Sequence, residues 1–166
     1  MYLRTLLWPV LGILLFGACL PARYTFDKLP DQQLRFGSGG GFSGALQEYV
    51  LLRNGQIFLF ETGPGKRDTF ELQSLSKADT RILFGELDTL RLQKYDFNYP
   101  GNMSYFIRLT DEQTDQTVQW GDPRWAVRKE VSQFHSELTA IMDNRKVVFD
   151  VKKDREKEKP KEPTFW

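Results

Sequence analysis

The chain has 166 residues, of which 23 are basic and 22 acidic, and its formal net charge is +1. This balance lacks the basic excess with which proteins hold a phosphate backbone, so nucleic acid is not an expected partner. With one cysteine and one histidine, the chain cannot form an internal disulfide or a His/Cys zinc site, and no cofactor is expected.

The N-terminal residues have the pattern of an export signal. One basic residue, Arg4, precedes the apolar run Leu6–Phe16, and two small residues stand directly before Cys19. A charged start, a short apolar stretch and small residues before a cleavage point predict a secretory signal peptide over residues 1–18. The run is too short to span a membrane, which takes about 20 apolar residues.

The residues before Cys19 resemble the lipobox of bacterial lipoproteins, whose cysteine receives a diacylglycerol and becomes the mature N-terminus. The resemblance implies that Cys19 is lipidated and holds the exported protein to a membrane of the cell envelope. Leu20 stands where some bacteria use an aspartate for inner-membrane retention, so the outer membrane is expected. The alternative is an ordinary signal peptide with a cysteine close to its cleavage site.

Beyond the signal peptide, composition divides the chain into three parts. Residues 19–32 carry two prolines and no clear hydrophobic period, which predicts a lipidated tether. Residues 33–150 have the length and apolar content of a single domain. Residues 151–166 are rich in alternating lysine and glutamate, which cannot bury enough apolar surface to order themselves, so we expect a disordered tail.

The first half of the domain predicts strands. Gln33–Phe36 is a short strand, and Asn54-Gly55 between two apolar segments predicts a hairpin of Ala45–Arg53 with Gln56–Glu61. Both turn residues tolerate the positive φ of a type I′ turn. A helix ending at Gly55 competes with this interpretation, but the β-branched and aromatic residues favour strands. Thr69–Leu72 follows as the third strand of this meander.

The second half predicts two helices and another pair of strands. Ser76, with an acidic residue three positions later, predicts the start of a helix. Met103–Leu109 and Gln116–Trp120 are strands, and Val147–Val151 is a short extra strand or an extension. The second helix carries an apolar stripe of five residues: Val127, Val131, Phe134, Leu138 and Ile141. We therefore predict an α+β fold: an antiparallel sheet of about five strands, in the order β-β-β-α-β-β-α, with both helices on one face.

A glycine-rich segment is the first candidate binding site. It comprises Ser38, Gly39, Gly40, Gly41, Phe42, Ser43 and Gly44. The formal Gly-x-Gly-x-x-Gly match does not predict dinucleotide binding, because a strand and not a helix is expected after it. The glycines either let the backbone bulge or cross another chain segment, or form a binding loop that presents Phe42.

The second candidate is the turn that contains Trp120, Asp122 and Trp125. Two tryptophans around a tight turn could form an exposed aromatic patch for a protein partner. In the alternative, Trp120 is a core residue and Trp125 caps the second helix. His135 has no accompanying nucleophile motif, so we expect a boundary residue at the sheet edge in preference to a catalytic base.

The order of these segments resembles a group of uncharacterised small bacterial lipoproteins. The Ser38–Gly44 opening is also similar to that of emfourin-like inhibitors of metalloproteases, small α+β proteins with elements in about this order. The resemblance covers roughly Arg35 to Met142, and it implies protein binding in preference to catalysis.

We therefore expect a non-enzymatic, lipid-anchored envelope protein that binds another protein, a peptidase being one candidate. Its contact surfaces would be the Ser38–Gly44 and Trp120–Trp125 segments. One alternative is a small-ligand binder or hydrolase that uses His135 and the loop carboxylates Asp96, Asp111, Asp115 and Asp122. The other is a structural envelope protein.

Overall fold

The apolar segments of the domain form one mixed sheet of eight strands, with two helices, in a computed structural model that describes residues 23–152. The strands are β1 (Gln33–Gly40), β2 (Ala45–Leu51), β3 (Ile57–Gly63), β4 (Lys66–Leu72), β5 (Asn98–Tyr99), β6 (Met103–Thr110), β7 (Asp115–Trp120) and β8 (Val147–Asp150). The helices are α1 (Lys77–Leu90) and α2 (Lys129–Asp143), and a short 3₁₀ turn spans Leu92–Lys94.

The predicted five-stranded antiparallel sheet is wrong. The strands lie in the order β5-β7-β6-β1-β2-β3-β4-β8, and β5 runs parallel to β7 while all other neighbours are antiparallel. The outermost strands have two and four residues. β5 is too short to show a hydrophobic period and was not predicted, whereas β8 lies within Val147–Val151, which was predicted as a short extra strand or an extension.

The β2–β3 hairpin is confirmed, but the predicted type I′ turn is wrong. The Leu52 N–H donates to the Gln56 carbonyl (3.0 Å) and the Gly55 N–H donates to the Leu52 carbonyl (2.9 Å). Only Gly55 in this loop has a positive φ, of 88°. The result is a three-residue loop with glycine in the left-handed position. Asn54 contributes through its side chain, which accepts a hydrogen bond from the Gln56 N–H at 2.9 Å.

The predicted start of α1 is confirmed. Ser76 is the N-cap residue, and its hydroxyl accepts a hydrogen bond from the Asp79 N–H at 3.1 Å. The same hydroxyl donates to the Asp79 carboxylate at 2.8 Å. This exchange satisfies one of the free N–H groups at the beginning of the helix.

Both helices pack against the same face of the sheet and enclose the main core. The predicted burial of Val131, Phe134 and Leu138 is confirmed, while Val127 and Ile141 are partly buried at the margin. Sheet residues that complete this core include Leu34, Phe36, Tyr49, Leu51, Ile57, Ile107 and Val118. The face of the sheet that carries α1 and α2 is called the helix face below.

The opposite face carries a smaller core under the chain that leads into β1. Val50, Leu52 and Phe58 are buried there against Tyr24 and its neighbours, Phe26 and Leu29. The Tyr24 backbone exchanges hydrogen bonds with the Gln56 side chain, at 2.8 and 3.1 Å. Part of the predicted tether therefore packs on the domain.

Several predictions lie outside the described residues. They are the signal peptide 1–18, the lipidation of Cys19 and residues 153–166 of the predicted tail. Within residues 23–152, neither helix is long and apolar enough to cross a membrane.

Candidate functional site

The two predicted binding segments lie at the same end of the sheet. Ser38, Gly39 and Gly40 are the last residues of β1, so the loop predicted over Ser38–Gly44 is in fact half strand. The turn consists of Gly41–Gly44, and the Gly41 N–H donates to the Asn102 carbonyl at 2.6 Å. Asn102 directly precedes β6, and the Trp120–Trp125 segment lies on the other side of β6.

Two glycines allow this close approach. Gly40 has a φ of 114°, and a Cβ there would collide with the Asn102 carbonyl oxygen. Gly121 has a φ of 156°, and a Cβ there would collide with the Met103 carbonyl oxygen. The structure therefore explains Gly40 by the close approach of two backbone segments, which is the first of the two roles considered for the glycine-rich segment.

The turn also presents an aromatic side chain. Phe42 is fully exposed at the tip of the β1–β2 hairpin. An apolar ring that stays exposed buries no surface on folding, so it contributes little to the free energy of unfolding. Its exposure leaves it available for contact with another molecule.

Four aromatic side chains form a surface beside this turn, called the aromatic platform below: Tyr99, Tyr105, Trp120 and Trp125. Tyr99, Trp120 and Tyr105 are paired across β5, β7 and β6 and share the helix face. Tyr105 stacks on Trp120 with ring centroids 5.9 Å apart, and Trp125 stacks on Tyr99 at 4.6 Å. Tyr99, Tyr105 and Trp125 are 37%, 38% and 52% exposed.

The two tryptophans fit different alternatives: Trp120 supports the core, and Trp125 is exposed. Trp120 is half-buried, and its ring contacts His135 edge-on at 5.1 Å between centroids, so it supports the core. Trp125 is exposed and does not cap α2, which begins at Lys129 after Arg128. The exposed part of the predicted patch is therefore Trp125 with the two tyrosines.

Asp122 shapes the turn. Its carboxylate holds the Arg124 guanidinium at 2.6–3.1 Å and accepts the Arg124 backbone N–H at 2.9 Å. The hydrogen bonds from Arg124 lower the pKa of the Asp122 carboxyl to about 2. A carboxylate held in this way fixes the loop that carries Trp125.

Next to the aromatic platform lies an open groove of about 490 Å³, called the end groove below. Its floor is made of small residues at the ends of the central strands, Gly40, Ala45 and Gly63, and Met103 borders it. The opposite wall is charged, because Lys66 contacts Glu61 at 2.7 Å and Asp68 at 3.5 Å. The groove therefore changes from apolar to charged across its width.

His135 is buried under the aromatic platform, so the predicted boundary position is wrong. Its Nε2–H donates to the Gly37 carbonyl at 2.9 Å, because a carbonyl can only accept. The rings of Tyr105 and Trp120 stand edge-on to it at 5.6 and 5.1 Å. Burial lowers the pKa of His135 below its ordinary value, against a smaller opposing effect of the Gly37 hydrogen bond. The neutral imidazole links α2 to β1.

We expect this histidine to make stability depend on pH between about 7 and 5. The unfolded chain takes up a proton near pH 6.5, while the folded chain takes it up only at lower pH, so the free energy of unfolding falls as pH falls. The slope should reach at most about 1.4 kcal/mol per pH unit. Urea unfolding at a series of pH values measures it.

The matched control is His135→Gln, which keeps an N–H donor for Gly37 but does not titrate. Its stability should vary less with pH in this window, since no other histidine is present in the chain. Asp111, Asp115 and Asp122 have lowered pKa values, so their contributions are lost only in more acidic solution. Equal slopes in the two proteins would contradict the prediction.

Two of the other predicted carboxylates serve local structure, while Asp96 is exposed between the 3₁₀ turn and β5. Asp111 accepts the backbone N–H groups of Gln113 and Thr114 at 2.8 and 2.7 Å, and Asp115 forms a two-point ion pair with Arg108 at 2.7 Å. In residues 23–152, no three potential ligands among His, Cys, Asp and Glu come together as a metal site.

Sequence reasoning missed the tyrosines of the platform and the charged wall of the groove. Tyr99 lies in the unpredicted β5, and Tyr105 lies in β6, which was predicted as a strand but not as part of a binding surface. Their exposure was not visible in the sequence, because the pattern of a strand does not reveal how far the helices cover the face that its side chains share. No family model matches this chain, and no curated protein matches it.

Proposed function

We propose that this protein is a non-enzymatic, lipid-anchored module of the cell envelope that binds another protein through the aromatic platform and Phe42. The observation that carries the proposal is the grouping of exposed Tyr99, Tyr105 and Trp125 beside the exposed Phe42 at one end of the sheet. Tyrosine and tryptophan dominate the binding energy of many protein interfaces.

The rigidity of the platform supports this use. Tyr99 and Tyr105 belong to paired strands, and Trp125 is held on Tyr99 by stacking and by the turn that Asp122 closes. The Trp125 N–H donates to the Asp122 carbonyl at 3.1 Å. Side chains that are already ordered lose little conformational entropy on binding, so more of the contact energy is available for affinity.

The position of the proposed anchor supports access to the platform. Cys19 stands four residues before Arg23, whose guanidinium contacts Glu71 of β4 at 2.9 Å. Four residues span at most about 14 Å, so a lipid on Cys19 would hold the β4 side of the domain near the membrane. β7 lies five strands from β4, which is roughly 24 Å across the sheet. A partner could then reach the platform away from the lipid surface.

The likeness of the Ser38–Gly44 segment to emfourin-like inhibitors makes a peptidase our first candidate partner. The outer membrane is the proposed location, because Leu20 and not aspartate follows the cysteine. Inhibition would require only that the platform and Phe42 occupy a surface near the substrate cleft of the peptidase.

The experiment compares Phe42→Ala, Trp125→Ala and the control Ile82→Ala. Ile82 is exposed on α1 and takes no part in the platform. The partner is captured from a detergent extract of the envelope, identified, purified and titrated against each variant. We expect Trp125→Ala and Phe42→Ala each to weaken binding tenfold or more, at about 1.4 kcal/mol for each factor of ten, and Ile82→Ala to bind as the parent does.

Equal binding by all three variants would refute the role of the platform. A lipidated cysteine is a separate matter, and mass spectrometry of the purified chain decides it. A free thiol at Cys19, or an intact leader, would refute the anchor.

A further inference from the structure

A pocket lies between the chain that leads into β1 and the β4–β8 side of the sheet, and the proposed function makes no use of it. It has a volume of about 440 Å³, and its lining includes five aromatic side chains: Tyr24, Phe26, Phe58, Phe70 and Phe149. A volume of roughly 300–1,000 Å³ and a mainly apolar lining are typical of sites that bind small molecules. This pocket is called the aromatic pocket below.

The aromatic pocket lies on the face of the sheet opposite the helices. One side of it is a row of cross-strand neighbours, since Glu71 on β4 pairs with Phe58 on β3 and with Phe149 on β8. The other side is the segment with Tyr24 and Phe26, which packs against Phe58. Phe58 is buried, whereas Phe149 is 39% exposed. Part of this aromatic surface therefore stays in contact with water, and covering it would be favourable.

The charges in the lining favour an uncharged occupant. The Glu71 carboxylate contacts the Arg23 guanidinium at 2.9 Å and accepts a hydrogen bond from the Gln56 side-chain amide at 3.3 Å, so its charge is already balanced. Asp27 adds a second acidic side chain to the lining. One basic and two acidic groups disfavour the carboxylate of a free fatty acid or the phosphate of a phospholipid. A neutral hydrocarbon chain meets no such repulsion.

The beginning of the described chain indicates where such a hydrocarbon chain would come from. Arg23 lines the aromatic pocket and is held there by its ion pair with Glu71. Cys19 stands four residues earlier in the sequence, and four residues span at most about 14 Å. A hydrocarbon chain attached to Cys19 therefore begins within reach of the pocket, and its entry would be an intramolecular step.

We propose that the aromatic pocket binds one acyl chain of the lipid on Cys19. This inference rests on the proposed lipid anchor and adds how the anchor is held by the domain. A bilayer is as apolar as the pocket, so the gain comes from covering the exposed parts of the aromatic side chains. The other acyl chain of the diacylglycerol stays in the membrane. With one chain in the domain and one in the bilayer, the β4–β8 side faces the membrane and the aromatic platform stays away from it.

Photo-crosslinking in vesicles of phosphatidylethanolamine and phosphatidylglycerol tests this occupant. The lipidated full chain carries a photoreactive benzophenone amino acid in place of Phe149, and the control carries it in place of Val147. Val147 is 52% exposed on the same strand, but it pairs with Leu72 of the main core and so shares the helix face. We expect position 149 to capture the lipidated Cys19 peptide at least about tenfold more than position 147 does, as mass spectrometry of the digested protein measures.

Filling the aromatic pocket provides the second comparison. Thr69 lines the pocket, so Thr69→Trp in the chain with the benzophenone at position 149 should lower capture of the Cys19 lipid about tenfold, because the indole takes the space of the acyl chain. Thr117→Trp is the matched control, since Thr117 lies on the same face of the sheet but in β7, away from the pocket. It should leave capture unchanged. Circular dichroism confirms that each variant is folded.

Three results would overturn the proposal while Cys19 is lipidated. They are equal capture at positions 149 and 147, capture that Thr69→Trp leaves unchanged in a folded chain, and capture of vesicle phospholipid at position 149 in place of the Cys19 lipid. A bare Cys19 in the same digest would refute the anchor and the pocket's occupant together. The failure of the proposed anchor is thereby distinguished from the failure of this inference.

Discussion

Gly37→Ala should remove most of the stability of the domain. Gly37 lies in β1, at the centre of the sheet, and a Cβ there would overlap the Gln47 carbonyl oxygen and stand 3.1 Å from the Glu48 Cα. These are backbone atoms of β2, so no side chain can move aside. The methyl group would force β1 and β2 apart and shift the carbonyl that accepts the His135 hydrogen bond. We expect a loss of about 4 kcal/mol or more, from a total that is commonly about 5–15 kcal/mol.

Gly85→Ala is the matched control, because it adds the same methyl group elsewhere in the chain. Gly85 lies on the exposed side of α1, and nothing stands within 4 Å of a Cβ built there. Alanine is the better helix former, so this variant should gain about 0.5–1 kcal/mol. Urea unfolding followed by tryptophan fluorescence measures both variants. A Gly37→Ala protein within 1 kcal/mol of the parent would show that the contact between β1 and β2 is looser than the structure gives.

The parts of the fold that the sequence predicted are those with local causes. The β2–β3 hairpin follows from the polar Asn54-Gly55 pair, and the start of α1 follows from the Ser76 hydroxyl and Asp79. The burial of α2 follows from a stripe with helical spacing. Each signal lies within a few residues of the structure it specifies, so a single sequence contains it.

The parts that were missed have causes distant in the chain. β5 is ordered by its neighbours: the Gln119 N–H donates to the Phe97 carbonyl, and the Asp122 N–H donates to the Tyr99 carbonyl, at 2.9 and 3.1 Å. β1 continues through Ser38–Gly40 because β2 and β6 pair with those residues on both sides. Glycine is unfavourable in an isolated strand, and the close packing of β2 and β6 against β1 explains the glycines here.

The candidate site was predicted only in part, because its arrangement also depends on residues that are distant in the chain. The glycine-rich segment and the Trp120–Trp125 turn were identified from composition, but their common position at one end of the sheet depends on β6, which lies between them. His135 was placed at a boundary because its own helix leaves it one residue from the stripe. The rings that bury it come from β6 and β7. A residue's neighbours on its own helix therefore do not determine whether it is buried.

Phe134→Ala should cost about 3–5 kcal/mol of unfolding free energy, the range for truncating a buried aromatic residue. Phe134 lies in the middle of the α2 stripe and belongs to the core cluster that joins α1, α2 and the sheet. Its ring is almost fully buried. Truncation removes apolar contacts from both helices and leaves a cavity between elements that the backbone of α2 cannot collapse to fill.

Gln133→Ala provides the comparison at the adjacent position of the same helix. Gln133 is exposed, so its truncation should change stability by no more than about 0.5 kcal/mol. The contrast between the two variants isolates the effect of burial from any effect on helix propensity. If Phe134→Ala unfolds at nearly the same urea concentration as Gln133→Ala, the stripe does not pack on the sheet. The platform above it would then lack the rigid support on which its proposed use depends.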